Sequence, residues 1–258
     1  MRKFLRRWLG KLAPRLEKIA ILWSEKYLLK SGENGCRRWG HPLFYPLAWW
    51  FKNNLGRVAG SRVIPLKVNI PALRRNLSID TALELARRAP KITVVECYCR
   101  KKHRNCDAPV NNCLMFGEPV LLDDLNPVVK ENPDFEEIKK ILEEAREHGL
   151  VHQALFFPDP NTVYCICNCC SCCCLSFQVK NRGYDLLQKS SFVIEINREN
   201  CVKCGKCVKV CPSGALTLEG ELKIDREICW GCGLCQHFCE PGALNLAAKE
   251  EIKDYVRG

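Results

Sequence analysis

The chain has 258 residues, is 47% hydrophobic, and carries 20 cysteines and a net charge of +11. That composition suits a globular protein with a buried core, in one large domain or two small ones. So much cysteine would mark a disulfide scaffold in a short secreted chain, but adjacent thiols such as Cys169-Cys170 bridge poorly and no secretory apolar stretch is expected ahead of them. Metal ligation in a reducing, cytoplasmic compartment is the better reading.

Charge is uneven along the chain. Residues 1–75 hold 17 Lys and Arg against 3 Asp and Glu, a net +14, so the body that follows is mildly acidic. Near the start, Leu5, Trp8, Leu9, Leu12, Leu16, Ile19, Trp23 and Tyr27 recur at helical steps, which predicts a basic amphipathic helix kinked or restarted at Pro14. Such a helix packs on the body, docks on an acidic partner or lies in a membrane interface. Arg6-Arg7 is no twin-arginine signal, because Lys11, Arg15 and Glu17 interrupt the apolar stretch that should follow. The aromatic run His41 to Phe51 is far short of the ~20 apolar residues of a bilayer span. Any membrane attachment is therefore expected to be peripheral, on the inner face, through the basic residues and Trp8, Trp23, Trp49 and Trp50. Cys36 stands alone and reads as a small buried hydrophobe.

The middle of the chain predicts a helix capped by Ser78 or Asp80 and ended by Pro90, then a buried strand from Ile92 to Glu96. Cys97, Cys99, Cys106 and Cys113 follow in what reads as an irregular loop, with Pro109 and Gly117. A second helix runs from Pro133 to His148 and closes on Gly149. Its phrase IKKILEEAREHGLVH occurs in winged-helix domains but reads here as an ordinary capped helix, and no nucleic-acid partner is expected.

Beyond it lies CICNCCSCCC, with Cys165, Cys167, Cys169, Cys170, Cys172, Cys173 and Cys174. The two cysteine groups are expected to meet around one or two iron-sulfur clusters, with zinc as the alternative and with alternate cysteines of the run facing opposite ways. Two four-thiolate clusters would use eight of these eleven thiols. His103 and His152 are minor ligand candidates. Arg100, Lys101, Lys102 and Arg104 read as a basic loop that is simply solvated, docks an acidic redox partner or raises a cluster's potential.

From residue 193 the pattern becomes regular. Cys201, Cys204, Cys207 and Cys211 stand in C-x2-C-x2-C-x3-C-P, and Cys229, Cys232, Cys235 and Cys239 repeat that spacing, with Glu240 inserted before Pro241. FVIEI, ALTL, the return strand in EGELKID, and ALNLA read as the strands of a small βαβ-type repeat. Residues 193–248 resemble bacterial ferredoxins with two 4Fe-4S clusters. The resemblance implies that Cys201, Cys204, Cys207 and Cys239 hold one cluster, and Cys229, Cys232, Cys235 and Cys211 the other. Residues 76–248 together, through the CxCR, CxxP, CLxFG, GLVHQ and CNCCxCCC phrases, are similar to a group of uncharacterised iron-sulfur proteins of anaerobic bacteria and archaea, though Leu175 stands where that group has glycine. That similarity implies iron-sulfur binding and anaerobic electron transfer.

The expected architecture is α+β: a basic N-terminal region over residues 1–75, a Cys-rich metal-binding α/β module over 76–185 and a two-cluster ferredoxin domain over 186–258. The expected function is an electron-transfer protein serving a redox protein or enzyme complex. The alternative is a reductase whose middle cluster reduces substrate and is fed by the ferredoxin domain. No glycine loop for a nucleotide accompanies these motifs, so flavin or nicotinamide is not expected.

Overall fold

Alternation of side chains along each strand builds a sheet with two unlike faces, one greasy and one sulfur-bearing. The computed structural model describes residues 60–65, 82–89, 91–117, 126–156, 163–181 and 187–248. The basic amphipathic helix, the aromatic run, Cys36 and the capping positions Ser78 and Asp80 lie outside them.

In chain order the first elements are β1 (Gly60–Val63), α1 (Ala82–Arg88), β2 (Ile92–Val95), α2 (Tyr98–His103), β3 (Cys113–Phe116) and β4 (Val128–Glu131). Then come α3 (Phe135–Glu147), β5 (Val151–Phe156), β6 (Val163–Cys169), α4 (Leu175–Asn181) and β7 (Leu187–Gln188). Among the described residues these seven strands form one sheet in the order β4-β2-β3-β6-β5-β1-β7, antiparallel except for β1 beside β7. β1 lies within the segment expected to be a separate basic region, and β7 within the expected ferredoxin segment. The sheet thus draws a strand from each side of the expected middle module.

Ile92, Val94, Leu114, Ala154 and Ile166 share one face and pack against Leu85 of α1 and Ile138 and Leu142 of α3. Each such fully buried aliphatic side chain contributes about 1.5–3 kcal/mol. α3 starts at a capping box: Glu137 N donates to Asp134 Oδ1 at 2.8 Å, and Asp134 N donates to Glu137 Oε2 at 3.1 Å. It ends at Gly149, whose φ of +71° turns the chain into β5. On the opposite face stand Cys113, Cys165, Cys167 and Cys169, all at period two with their strand neighbours.

The C-terminal part contains β8 (Phe192–Ile196), α5 (Lys206–Lys209), β9 (Leu216–Glu219), β10 (Glu221–Ile224), α6 (Leu234–His237) and β11 (Leu244–Ala248). The order strand, helix, strand occurs twice. The strands do not pair in parallel as a βαβ crossover would; β8 pairs antiparallel with β11, and β9 with β10 around Gly220. The outer strands therefore bring the end of the segment back to its beginning.

The cysteine face of the sheet meets this C-terminal part. Val63, Val151, Cys169, Cys174 and Phe177 share a core with Trp230 and Leu234, and the Phe177 and Trp230 rings lie 4.5 Å apart. Among the described residues no helix is long and apolar enough to cross a membrane.

Candidate metal centres

In the C-terminal part each cysteine row bends at a glycine. Gly205 and Gly233 precede the one-turn helices α5 and α6 with φ of +73° and +79°, a left-handed conformation that other residues adopt at a cost. The bends open two cavities. One is lined by Cys201, Cys204 and Cys207 of the first row with Cys239 of the second. The other is lined by Cys229, Cys232 and Cys235 with Cys211 of the first row. Each cavity thus gathers three thiols from one row and the fourth from the other, which fits a cubane that takes four thiolates. Leu218, Leu222, Ile194 and Leu216 line much of the rest, and burial pushes the Cys207 and Cys235 thiols up and Cys232 up to about 12. Ala243 N donates to Cys239 Sγ at 3.3 Å. Glu240 pairs with Lys206 at 2.5 Å across the two rows, an exposed contact that solvent screens.

Gly231 fixes the second row against β8. A Cβ there would stand 2.1 Å from Phe192 O and 2.2 Å from Ser190 Oγ, and its φ is +65°. Ser190 Oγ donates to Gly231 O at 2.9 Å, and Ser190 N to Trp230 O at 3.0 Å, so neither neighbour yields easily. Gly231→Ala is expected to destabilise the protein by on the order of 3 kcal/mol or more, from overpacking and backbone strain together. A denaturant midpoint unchanged from wild type would contradict this.

The eleven cysteines of the middle region separate into two groups. Cys106, Cys170, Cys172 and Cys173 form the first, with all four sulfurs within 4.8 Å of one another. The second begins with the three thiols of β6. Cys165 and Cys167 lie 3.6 Å apart, and Cys167 also contacts Cys113 and Cys169. Cys113 contacts Cys97, Cys169 contacts Cys174, and Cys99 lies beside Cys174 and Cys97.

The expectation that alternate cysteines of the run face opposite ways is corrected here. Cys165, Cys167 and Cys169 are two apart on a strand and so share a face. It is the turn over residues 171–173 that carries Cys170, Cys172 and Cys173 away to the other group.

Neighbouring thiols resist ionising together, and this shapes both groups. Hydrogen bonds from Cys169, from the N–H groups of Phe177 and Ser176 and from Gln153 outweigh burial and hold Cys174 down at about 7. Gln153 Nε2 donates to the Cys174 sulfur at 3.4 Å. The Cys113 contact and burial push Cys97 up, and burial raises Cys99. For Cys167 the Cys113 hydrogen bond acts downward, but Cys165 and burial prevail and push it up to about 12. In the first group burial acts upward on Cys170, yet the thiols of Cys172 and Cys106 hold it below its ordinary value. Burial and Cys170 raise Cys172, and they push Cys173 up to about 11.

In each group one thiol, Cys174 or Cys170, ionises more easily than usual, while the raised thiols beside it stay protonated until a cation compensates them. Since the raised thiols carry protons at pH 7 and must lose them to ligate, metal binding releases protons and strengthens as pH rises. With two or more protons displaced, apparent affinity is expected to fall at least about 100-fold per unit of acidification. Chelator competition at two pH values measures this; a slope below tenfold per unit would count against it.

The expected irregular loop contains a helix, α2, and the expected basic loop divides. Arg100 is only 2% exposed. Its Nε donates to Pro109 O at 2.9 Å, Nη1 to Asn168 O at 2.5 Å and Nη2 to Asn112 Oδ1 at 2.5 Å. Burial works against its charge, but the thiols of Cys97, Cys113, Cys169 and Cys170 outweigh burial and hold its pKa above the ordinary value. Lys101, Lys102 and Arg104 do stay exposed, Lys101 paired with Glu96 and Lys102 over the Tyr98 ring.

His152 is buried on the helix face, with Nδ1 2.6 Å from Asn168 Oδ1, and burial lowers it to about 4, so it is neutral. Neither His152 nor His103 joins the four-sulfur group. Sequence reasoning missed Arg100 as a buried cation and Gln153 as a sulfur donor; the alternation of β5, which sets Gln153 opposite Cys167, carries the only signal for the latter.

Residues 193–216, which include the whole first cysteine row, match the family model of a 4Fe-4S binding domain. No curated protein matches the chain. The chain thus combines a 4Fe-4S binding segment with a separate cluster of cysteines suited to metal.

Proposed function

We propose that this chain is an iron-sulfur electron relay with two 4Fe-4S clusters in its C-terminal part and at least one further cluster in the middle module. Cys201, Cys204, Cys207 and Cys239 hold the first cluster, and Cys229, Cys232, Cys235 and Cys211 the second. The two-cluster ferredoxin arrangement is supported above all by the two cavities, each lined by three cysteines of one row and one of the other. In the middle module Cys97, Cys99, Cys113, Cys167, Cys169 and Cys174 offer more thiols than the four a cubane takes. When bound, a 4Fe-4S cluster takes up and gives up one electron at a time.

The residues between the centres support a relay. Cys207 and Cys235 pack in one core with Cys201, Cys211 and Cys239. Cys232 and Trp230 pack in the next with Cys167, Cys169 and Cys174. Cys99 adjoins both middle groups. Cys232 and Trp230 thus bring the second C-terminal row against the thiols of the sheet, and most of the thiols involved are buried or half-buried. We assign the two ends of the relay to a donor and to a redox enzyme complex in an anaerobe.

Anaerobic purification of the full chain is expected to give about 12 iron atoms with matching sulfide, and reduction should produce EPR signals from three centres. An iron content of about 8 would remove the middle cluster from this reading. Absence of reducible iron would sink it altogether.

A further inference from the structure

The cysteines of the first middle group are spaced for a different kind of centre from those of the C-terminal rows. Four thiolates held about 2.3 Å from one tetrahedral ion stand about 3.8 Å apart. A cubane instead seats each thiolate on its own iron, at a separate corner, so its four sulfurs spread across the width of the cluster. The Cys172 and Cys173 sulfurs are 3.7 Å apart, and all four of Cys106, Cys170, Cys172 and Cys173 lie within 4.8 Å of one another.

The molecule supplies its own comparison. Among the described residues this quartet is the one group of three or more metal-ligating side chains that converges so closely. The eight cysteines of the C-terminal rows line two cavities instead, without converging so closely.

The quartet is also held in place before any metal arrives. Three of its members come from a four-residue stretch, Cys170 to Cys173, where Cys174 N donates to Cys170 O at 3.2 Å to close the turn. Gln178 Nε2 donates to Cys173 O at 3.2 Å. Asn105 Nδ2 donates to Cys172 O at 2.9 Å, so the neighbour of Cys106 is already tied to that turn. An all-sulfur tetrahedral set suits zinc or a lone iron.

We propose that Cys106, Cys170, Cys172 and Cys173 bind a single tetrahedral ion, zinc or mononuclear iron, which clamps the segment after α2 to the turn after β6. The clamp holds the remaining seven middle cysteines in register for their own cluster. This rests on the reading that the middle module carries metal, but not on its electron-transfer role.

The test compares full-length wild type with Cys106→Ser and Cys172→Ser after anaerobic purification, by metal and sulfide analysis and EPR. Each variant is expected to lose one equivalent of zinc, or one iron, without loss of sulfide or of the iron-sulfur signals. X-ray absorption on the wild-type protein needs no variant to fold: at the zinc edge it should give four sulfurs at about 2.3 Å and no metal neighbour. A lone ferric iron would instead give a high-spin EPR signal. Loss of about four irons together with sulfide would overturn the proposal, as would variants whose metal content equals wild type. Wild type with only about 8 iron, plus zinc that Cys106→Ser removes, would leave the proposal standing and overturn the middle cluster of the relay instead.

Discussion

Replacing Cys207 by alanine is expected to abolish the cluster of the first cavity, while replacing Cys211, only four residues on, abolishes that of the second. Each change should cost about four irons, half of what the two proposed C-terminal clusters would hold. Proximity in sequence argues for the opposite result, because both cysteines belong to one row. The backbone explains the division. Cys207 lies within α5, whereas Cys211 comes after its cap at Val210, and one lines the first cavity and the other the second. The antiparallel pairing of β8 with β11 brings Cys239 to the first cavity in exchange. EPR of the reduced variants distinguishes the two losses. Disappearance of the same signal in both would mean that each row serves its own cluster, and the cross-over assignment would fall.

What was readable in the sequence followed from regular spacing. The C-terminal strands and α3 announce themselves by period two or 3.6, and β2 by a short apolar run after Pro90. The box of Asp134 and Glu137, one residue after Pro133, marks the start of α3 with equal clarity. β1 and β7 were not readable, since four residues and two residues are too short for a pattern and form only because a neighbouring strand offers partners. α2 was hidden by the cysteines on either side of Tyr98, although Arg, Lys and Lys favour helix. The split of the crowded run depended on one fact, the residue at which β6 ends. VYCICNC alternates as a strand should, and that alternation alone sets Cys165, Cys167 and Cys169 on one face.

Arg100 shows what spacing alone does not reveal: two of its acceptors, Pro109 and Asn112, lie in the same loop, but the third, Asn168, comes 68 residues on, so its burial appears only in the folded chain. It is the cation shared by the two thiol groups, facing Cys97, Cys113 and Cys169 of one and Cys170 of the other. Its replacement by methionine keeps the apolar stem and removes the charge. Two effects are expected. Stability falls on the order of 3–5 kcal/mol, because buried acceptors and any thiolates lose their partner. The reduction potential of the middle centre also falls, since a nearby cation favours the reduced, more negative state. A unit charge about 8 Å from a redox centre, at an effective dielectric of about 20, is worth about 2 kcal/mol, or about 90 mV for one electron. Arg100→Lys retains the charge but loses the planar fork, so it should recover most of the potential and little of the stability. Redox titration followed by EPR measures the shift, and denaturant unfolding the stability. If Arg100→Met left the middle potential at its wild-type value while the C-terminal signals stayed intact, Arg100 would be a structural bolt and not a charge that tunes the centre.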